Sequence, residues 1–167
     1  MIWGASLGWP QVLAALVAAQ RLGELILARR NAARLRARGG VESGAGHYPL
    51  FVGLHAAWLA AIAATLPPDS TVSWPLLGLY LALQPLRVWI IASLGDSWTT
   101  RIIVVPGAPL VRHGPYRWLR HPNYALVALE IPLLPLALGA PGLALGFGAA
   151  NLALLAWRIR VEAAALA

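Results

Sequence analysis

Five long apolar runs dominate this chain, and they leave it few places to fold other than a lipid bilayer. A helix rises 1.5 Å per residue and needs about 20 mostly apolar residues to cross ~30 Å of hydrocarbon. The first run covers 9–28 and stops at Arg29-Arg30. The second, 48–66, stops at Pro67-Pro68, and the third, 74–94, ends beside Gly95-Asp96. From Asn123 to Trp157 the sequence stays apolar for 35 residues, about 52 Å of helix and too long for one crossing. Gly139-Ala140-Pro141-Gly142 divides it into two short spans, 123–138 and 142–157, joined by a tight turn. The expected fold is therefore all-α: a single membrane domain over 1–167, built as an integral membrane bundle of about five transmembrane helices.

Composition supports that choice and removes several chemistries. Hydrophobic residues make up 59% and charged residues 11%, against ~25% charged in a soluble domain. A water-soluble globule of this size would leave too much apolar surface wet. Without Cys there is no disulfide, thiol nucleophile or thiolate metal site, and without Lys there is neither a Schiff base nor a Walker-type phosphate loop. His113 and His121 lack a neighbouring carboxylate or Cys to complete a metal site, so no metal is expected.

All 13 basic residues are Arg, giving a net charge of +7. Six lie between Arg21 and Arg38 and four between Arg101 and Arg120, always beside apolar runs. That pattern marks membrane topology rather than a nucleic-acid-binding arm. Arg-rich loops remain cytoplasmic. With Met1 outside, residues 29–47, 96–121 and the tail from Arg158 are inside, and eleven of the 13 Arg fall on that side. The expected protein is multi-pass in the plasma (inner) membrane, with its C-terminus cytoplasmic. Residues 1–10 lack a positive n-region, so no cleaved signal peptide is expected. Gly and Ala are spread over every run, so no face is marked for oligomerisation.

Ionisable groups at membrane depth are costly and usually face a partner or a cavity. They are Arg21, Glu24, His55, Arg87 and Glu130, each roughly 6–12 Å in from the cytoplasmic end of its run. Two readings stand side by side. Arg21 pairs with Glu24 and Arg87 with Glu130 as internal glue, or the set lines a polar pocket open to the cytosol.

The segment from Val111 to Tyr124 reads VRHGPYRWLRHPNY. Gly114-Pro115 marks a turn, and Pro122 suits the first position of the fourth helix. Arg120 and His121 then lie at a helix N-terminus, where free N–H groups attract anions. Tyr116, Trp118 and Tyr124 either stack on a ligand base or form an interfacial aromatic belt. Arg117 and Arg120 are equally suited to lipid phosphates.

This segment resembles the isoprenylcysteine carboxyl methyltransferase family. The resemblance rests on Gly114-Pro115-Tyr116, on Arg120-His121-Pro122-Asn123-Tyr124, and on the polar Arg158-Ile159-Arg160-Val161-Glu162 after an apolar hairpin. Ser97-Trp98-Thr99 and Pro106-Gly107 fit upstream. Gln20-Arg21-Leu22, Glu24-Leu25, Ala28-Arg29-Arg30-Asn31, Gly39-Gly40 and His47-Tyr48 resemble a bacterial branch whose members often accompany type III polyketide synthases. Two positions depart from the family pattern: Ala163 stands where a second acid usually follows Glu162, and Leu126 where Gly is common.

The resemblance implies a cytosolic pocket for S-adenosylmethionine, lined by His113, Gly114, Tyr116, His121 and Tyr124, with Glu162 accepting from the cofactor's polar end or ribose. Arg120 would pair with the cofactor carboxylate or brace Glu162. It implies O-methylation of a lipophilic acceptor entering sideways from the bilayer. An isoprenylcysteine-type carboxylate needs only a cation to orient it, the role given to Arg158. An alkylresorcinol-type phenol would want a base, Glu130 or His121. Readings of another class are a small transporter using the buried charges, or a membrane partner without catalysis.

Overall fold

A computed structural model describes residues 7–165, apart from the side chain of His47. It contains five α-helices: α1 Trp9–Ala37, α2 Tyr48–Thr65, α3 Trp74–Leu94, α4 Pro122–Ala137 and α5 Pro141–Ala165. Two three-residue strands, β1 Val41–Ser43 and β2 Ile102–Val104, pair antiparallel with Glu42 opposite Ile103. A 3-10 turn, Gly114–Arg117, precedes α4. The Met1 end, to which an outside location is assigned above, lies beyond the described residues.

The fold is an all-α membrane bundle. Four helices are long and apolar enough to cross a bilayer. The fifth, α4, has 16 residues, about 24 Å at 1.5 Å per residue and shorter than the hydrocarbon. Gly139, at φ +72, ends it and permits the immediate turn into Pro141. Two helices run past the apolar stretches that announced them. α1 continues nine residues beyond Ala28, and α5 carries Arg158 and Glu162 on its last turns rather than on a tail. Prolines open helices where their missing N–H costs nothing, as Pro122 does in α4.

Packing runs α3–α4–α5–α2–α1. The apolar core gathers in one half, around Trp58, Ile62, Ile131, Leu134 and Leu138, all essentially inaccessible. Large apolar side chains such as Leu16, Leu79, Val88, Leu129 and Leu145 face outward, as lipid contact requires and water would penalise. α5 packs closely on α4 where Gly148 faces Pro132, and a Cβ on Gly148 would make an ordinary 3.4 Å contact with the Pro132 side chain.

The two ends differ. At one, Gly8 abuts Pro68, the Ser73 amide donates to the Ala137 carbonyl at 2.8 Å, and Gln11 caps α2 by donating to the Ala63 and Leu66 carbonyls. At the other lie the α1 overhang, the β1–β2 pair, the 3-10 turn and the end of α5. Eleven Arg collect there. Buried Asn31 donates to the Gly95 and Trp98 carbonyls and fastens the overhang to the connector after α3. Glu42 joins Arg36 and accepts from Arg101 at 2.5 Å, and the Arg101 guanidinium lies 4.2 Å over the Tyr48 ring.

Candidate active site

Tyr124 occupies the first turn of α4, just after the Pro122 start, so its side chain leaves the helix at the Arg-rich end. On α5, Arg158 and Glu162 are four residues apart and share one face. The two helices bring these three groups into contact. Tyr124 Oη donates to Glu162 Oε2 at 2.5 Å and accepts from Arg158 Nε at 2.7 Å. His121 stacks flat on Tyr124, with centroids 5.2 Å apart and planes at 10°, and its Nδ1 is 3.8 Å from the same Glu162 oxygen. The Arg158 guanidinium also lies over the Phe51 ring at the start of α2.

Several polar atoms in this cluster remain uncommitted. Glu162 Oε1 and both terminal nitrogens of Arg158 make no hydrogen bond among the described residues. Arg158 is nevertheless buried, so its charge meets a ligand without full screening. Tyr116 is half-buried within electrostatic reach of Glu162. Burial first, and then the Glu162 charge, push its phenol well above its usual range. It therefore stays a hydrogen-bond donor.

The other sequence-derived residues sit at the rim or deeper. Gly114 has φ +58, and a Cβ on it would fall 2.2 Å from Ser93 Oγ. Glycine is required there on both counts. His113 and Arg120 are exposed and make no side-chain hydrogen bond or ion pair among the described residues, so Arg120 does not brace Glu162. Glu130 lies two turns along α4 from Tyr124, fully buried. It pairs with Arg87 and accepts from Arg21 at 2.8 Å and from Gln84 at 3.0 Å. Arg21 also bonds Glu24 at 2.9 Å, and Arg87 reaches Glu24 at 3.1 Å. Gln20 joins Glu24 to Gln84. The two pairs expected from the sequence thus fuse into one charge-balanced network across α1, α3 and α4. His55 stands outside it by hydrogen bonding, with Nδ1 2.9 Å from its own helix's Phe51 carbonyl.

Gln84 and Phe51 are not among the residues singled out from the sequence. Gln84 interrupts an apolar run three residues before Arg87, so the rule that found the charged groups would have found it. Phe51 gave no signal, because an aromatic in a membrane helix is ordinary.

An apolar groove runs along the outer face between α2 and α5. Near its middle a cavity of about 290 Å³ is lined by Leu54, Gly146 and Phe147, and a second of about 480 Å³ by Pro49, Gly53, Leu54, Ala150 and Leu154. Leu54 and Ala150 border both, so the two are continuous. One turn beyond Leu154 comes Arg158, and Phe51 rises from the same part of α2. The groove therefore leads from mid-bilayer toward the polar cluster.

The sequence model of the isoprenylcysteine carboxyl methyltransferase (ICMT) family matches residues 76–167, which include His113, Gly114, Tyr116, Arg120, His121, Tyr124, Glu130, Arg158 and Glu162 but not Arg21, Glu24 or His55. The uncharacterized protein YpbQ of Bacillus subtilis (strain 168) is 41% identical over 159 residues, covering 93% of this chain and 95% of its own. No solved structure matches significantly.

Proposed function

The chain belongs to the isoprenylcysteine carboxyl methyltransferase family, and from that premise we propose that it methylates a lipophilic carboxylate at the expense of S-adenosylmethionine. Membership makes it a multi-pass membrane protein of methyltransferase type. The observation that carries the finer reading is the Tyr124–Glu162–Arg158 cluster, which leaves one carboxylate oxygen and one buried cation fork uncommitted.

The donor groups suit the cofactor's polar parts. Glu162 Oε1 would accept from its ribose hydroxyls or ammonium, and Arg120 would meet its carboxylate. The parallel His121 and Tyr124 rings, with Tyr116, would flank the base, while Gly114 and His113 shape the loop around them. When bound, S-adenosylmethionine would supply a methyl carbon whose bond to the cationic sulfur breaks as the new C–O bond forms, leaving the neutral thioether, and an ionised carboxylate would need no base for this. The chain's remaining task is alignment. Arg158 would orient the acceptor carboxylate through its terminal nitrogens, and the α2–α5 groove would hold the lipid tail. By the positive-inside rule the Arg-rich end faces the cytoplasm, where the cofactor is found.

A phenolic acceptor of the alkylresorcinol type is the second reading. It asks for a base, and Glu130 offers itself only with both oxygens already engaged by Arg87, Arg21 and Gln84. His121, with Nδ1 3.8 Å from Glu162 Oε2, is the other base open to a phenol; the carboxylate acceptor is favoured because it needs no base and meets the uncommitted Arg158 fork. Incubation of the purified protein with a labelled methyl donor, a farnesylcysteine analogue and an alkylresorcinol decides between them. Label should pass to the carboxylate, and Arg158→Ala should abolish that transfer far more than any transfer to the phenol. Transfer to the phenol alone would overturn the acceptor assignment, and failure to bind S-adenosylhomocysteine at millimolar concentration would overturn the donor.

A further inference from the structure

The loop before α4 carries candidate donor residues at both ends, yet Arg117, Trp118 and Leu119 between them are exposed. Gly114 lies against α3 at the level of Trp89 and Ser93, whose Nε1 and Oγ would be 3.4 and 2.2 Å from an added Cβ. α3 ends at Leu94, so the loop sits beside the helix, roughly 1.5–7.5 Å below its end. Trp118 reaches the same level and packs edge-on against Trp89 at 5.8 Å. Even so, Trp118 is 63% and Leu119 53% exposed. At that depth on a membrane helix, exposed faces look sideways into the headgroup layer.

Charge tells the same story. Arg117 lies over the Trp118 ring at 4.6 Å, and Arg112 and Arg117 are exposed. Neither has an ion-pair partner among the described residues. The chain's six acids are spoken for or remote: Glu24 and Glu130 in the buried network, Glu42 and Asp96 on other Arg, Glu162 beside His121, and Asp69 at the opposite end. No side-chain carboxylate among the described residues pairs with the two cations, and lipid phosphates would meet them at this depth.

We propose that the Arg112–Leu119 segment is a lipid-reading finger. Trp118 and Leu119 seat in the boundary between headgroups and acyl chains, and Arg112 and Arg117 hold phosphates of anionic phospholipids. One side of this finger is Gly114 and Tyr116, and His121 follows it directly. Anionic lipid therefore orders the donor loop. This last clause rests on the methyltransferase reading; the lipid contact itself does not. Apolar anchors combined with basic residues are the usual two-part grip on a charged surface.

The absence of cysteine gives a clean test. Leu119→Cys and, as control, Ala108→Cys in the exposed turn before the finger each accept one fluorescent label, in nanodiscs with or without phosphatidylglycerol. The label at 119 should be quenched by shallow lipid-borne quenchers and shielded from aqueous iodide, and the label at 108 should behave oppositely. S-adenosylhomocysteine should bind more tightly in anionic nanodiscs, by up to about five-fold per engaged Arg, the most that one basic residue's contact with a charged surface can transmit. Arg112→Gln with Arg117→Gln should erase that difference. Equal iodide access at 119 and 108 would overturn the lipid contact, and shielding from both quenchers would mean that protein covers the finger instead. Shallow insertion with lipid-independent affinity would overturn the ordering of the donor loop. If no S-adenosylhomocysteine binds in any lipid, the donor assignment fails, while the quenching result still decides the contact.

Discussion

Tyr124 Oη donates to Glu162 Oε2 at 2.5 Å, so the first turn of α4 and the last turns of α5 hold each other across 38 residues of chain. The same hydroxyl accepts from Arg158 Nε. One phenol thus separates a cation from an anion that would otherwise collapse into a salt bridge. The guanidinium fork and the carboxylate's second oxygen are left without a hydrogen bond among the described residues.

That arrangement predicts how the site fails. Glu162→Gln removes the anion proposed to meet the donor while leaving its shape, and S-adenosylhomocysteine affinity should fall by about 1–3 kcal/mol. Tyr124→Phe leaves both charges but frees them to pair directly, and the loss should be of similar size. The double variant should lose less than the sum, because each single change disrupts the same arrangement. Calorimetric titration in detergent measures all three. Full additivity would mean that the two residues act separately.

The buried network makes a prediction about stability. Glu130 is wholly inaccessible and answers two guanidiniums, so Glu130→Leu leaves Arg21 and Arg87 sharing only Glu24. Breaking a buried pair from one side costs on the order of 3–5 kcal/mol. Arg87→Met combined with Glu130→Leu removes one charge of each sign and should be less damaging than Glu130→Leu alone. Thermal unfolding in detergent, followed by circular dichroism, gives the ranking. A double variant less stable than the single one would show that the network is not held together by charge balance.

How far the sequence announces all this depends on the signal. The helix breaks were written in Pro67-Pro68 and Gly139–Gly142, and the gathering of eleven Arg at one end of the bundle in their spacing along the chain. The helical overhangs were not, because hydrophobicity stops at Ala28 and Trp157 while helix formation does not. The residues that follow, Ala, Arg and Glu, are good helix formers. Three-residue strands such as Val41–Ser43 are too short for any periodic pattern. The tail chemistry was legible through Arg158 and Glu162, but their contact with Tyr124 depends on how α5 is rotated against α4, which no linear spacing encodes. The same holds for Arg21, paired locally with Glu24 in the sequence yet also bound to Glu130 across the bundle.

Outside the membrane, Glu42 sets a pH dependence. Burial alone would raise its carboxyl, but hydrogen bonds from Arg101 and then Arg36, with their charges, outweigh this and hold it below the ordinary 4.5. A depressed carboxylate contributes stability that is complete above its unfolded value and is lost as pH falls through the folded one. The β1–β2 pair should therefore loosen only below about pH 4.5, and Glu42→Gln should flatten the effect. Hydrogen exchange of the Val41–Ser43 and Ile102–Val104 amides from about pH 3 to about pH 6, corrected for intrinsic exchange, reads it out. Loosening that sets in on the alkaline side would reverse the sign and refute the pairing.

The α2–α5 groove predicts a length-dependent acceptor preference. Gly53 and Gly146 line it, and a Cβ on either would meet nothing within 4 Å. Gly53→Leu should fold normally, since replacing Gly in a helix interior gains about 0.5–1 kcal/mol of propensity and displaces no neighbour. Its side chain would instead fill the stretch between Leu50 and Ala57 that leads to Arg158. Acceptors with a long tail should then lose transfer through a raised KM, while a short-chain analogue that stops before Gly53 keeps its rate. Gly146→Leu lies farther from Arg158 and should tolerate intermediate tails that Gly53→Leu rejects. Initial rates across a series of tail lengths test the order. An identical loss for every length would place the tail elsewhere, and no loss at all would make the groove a lipid-facing seam without a role in acceptor binding.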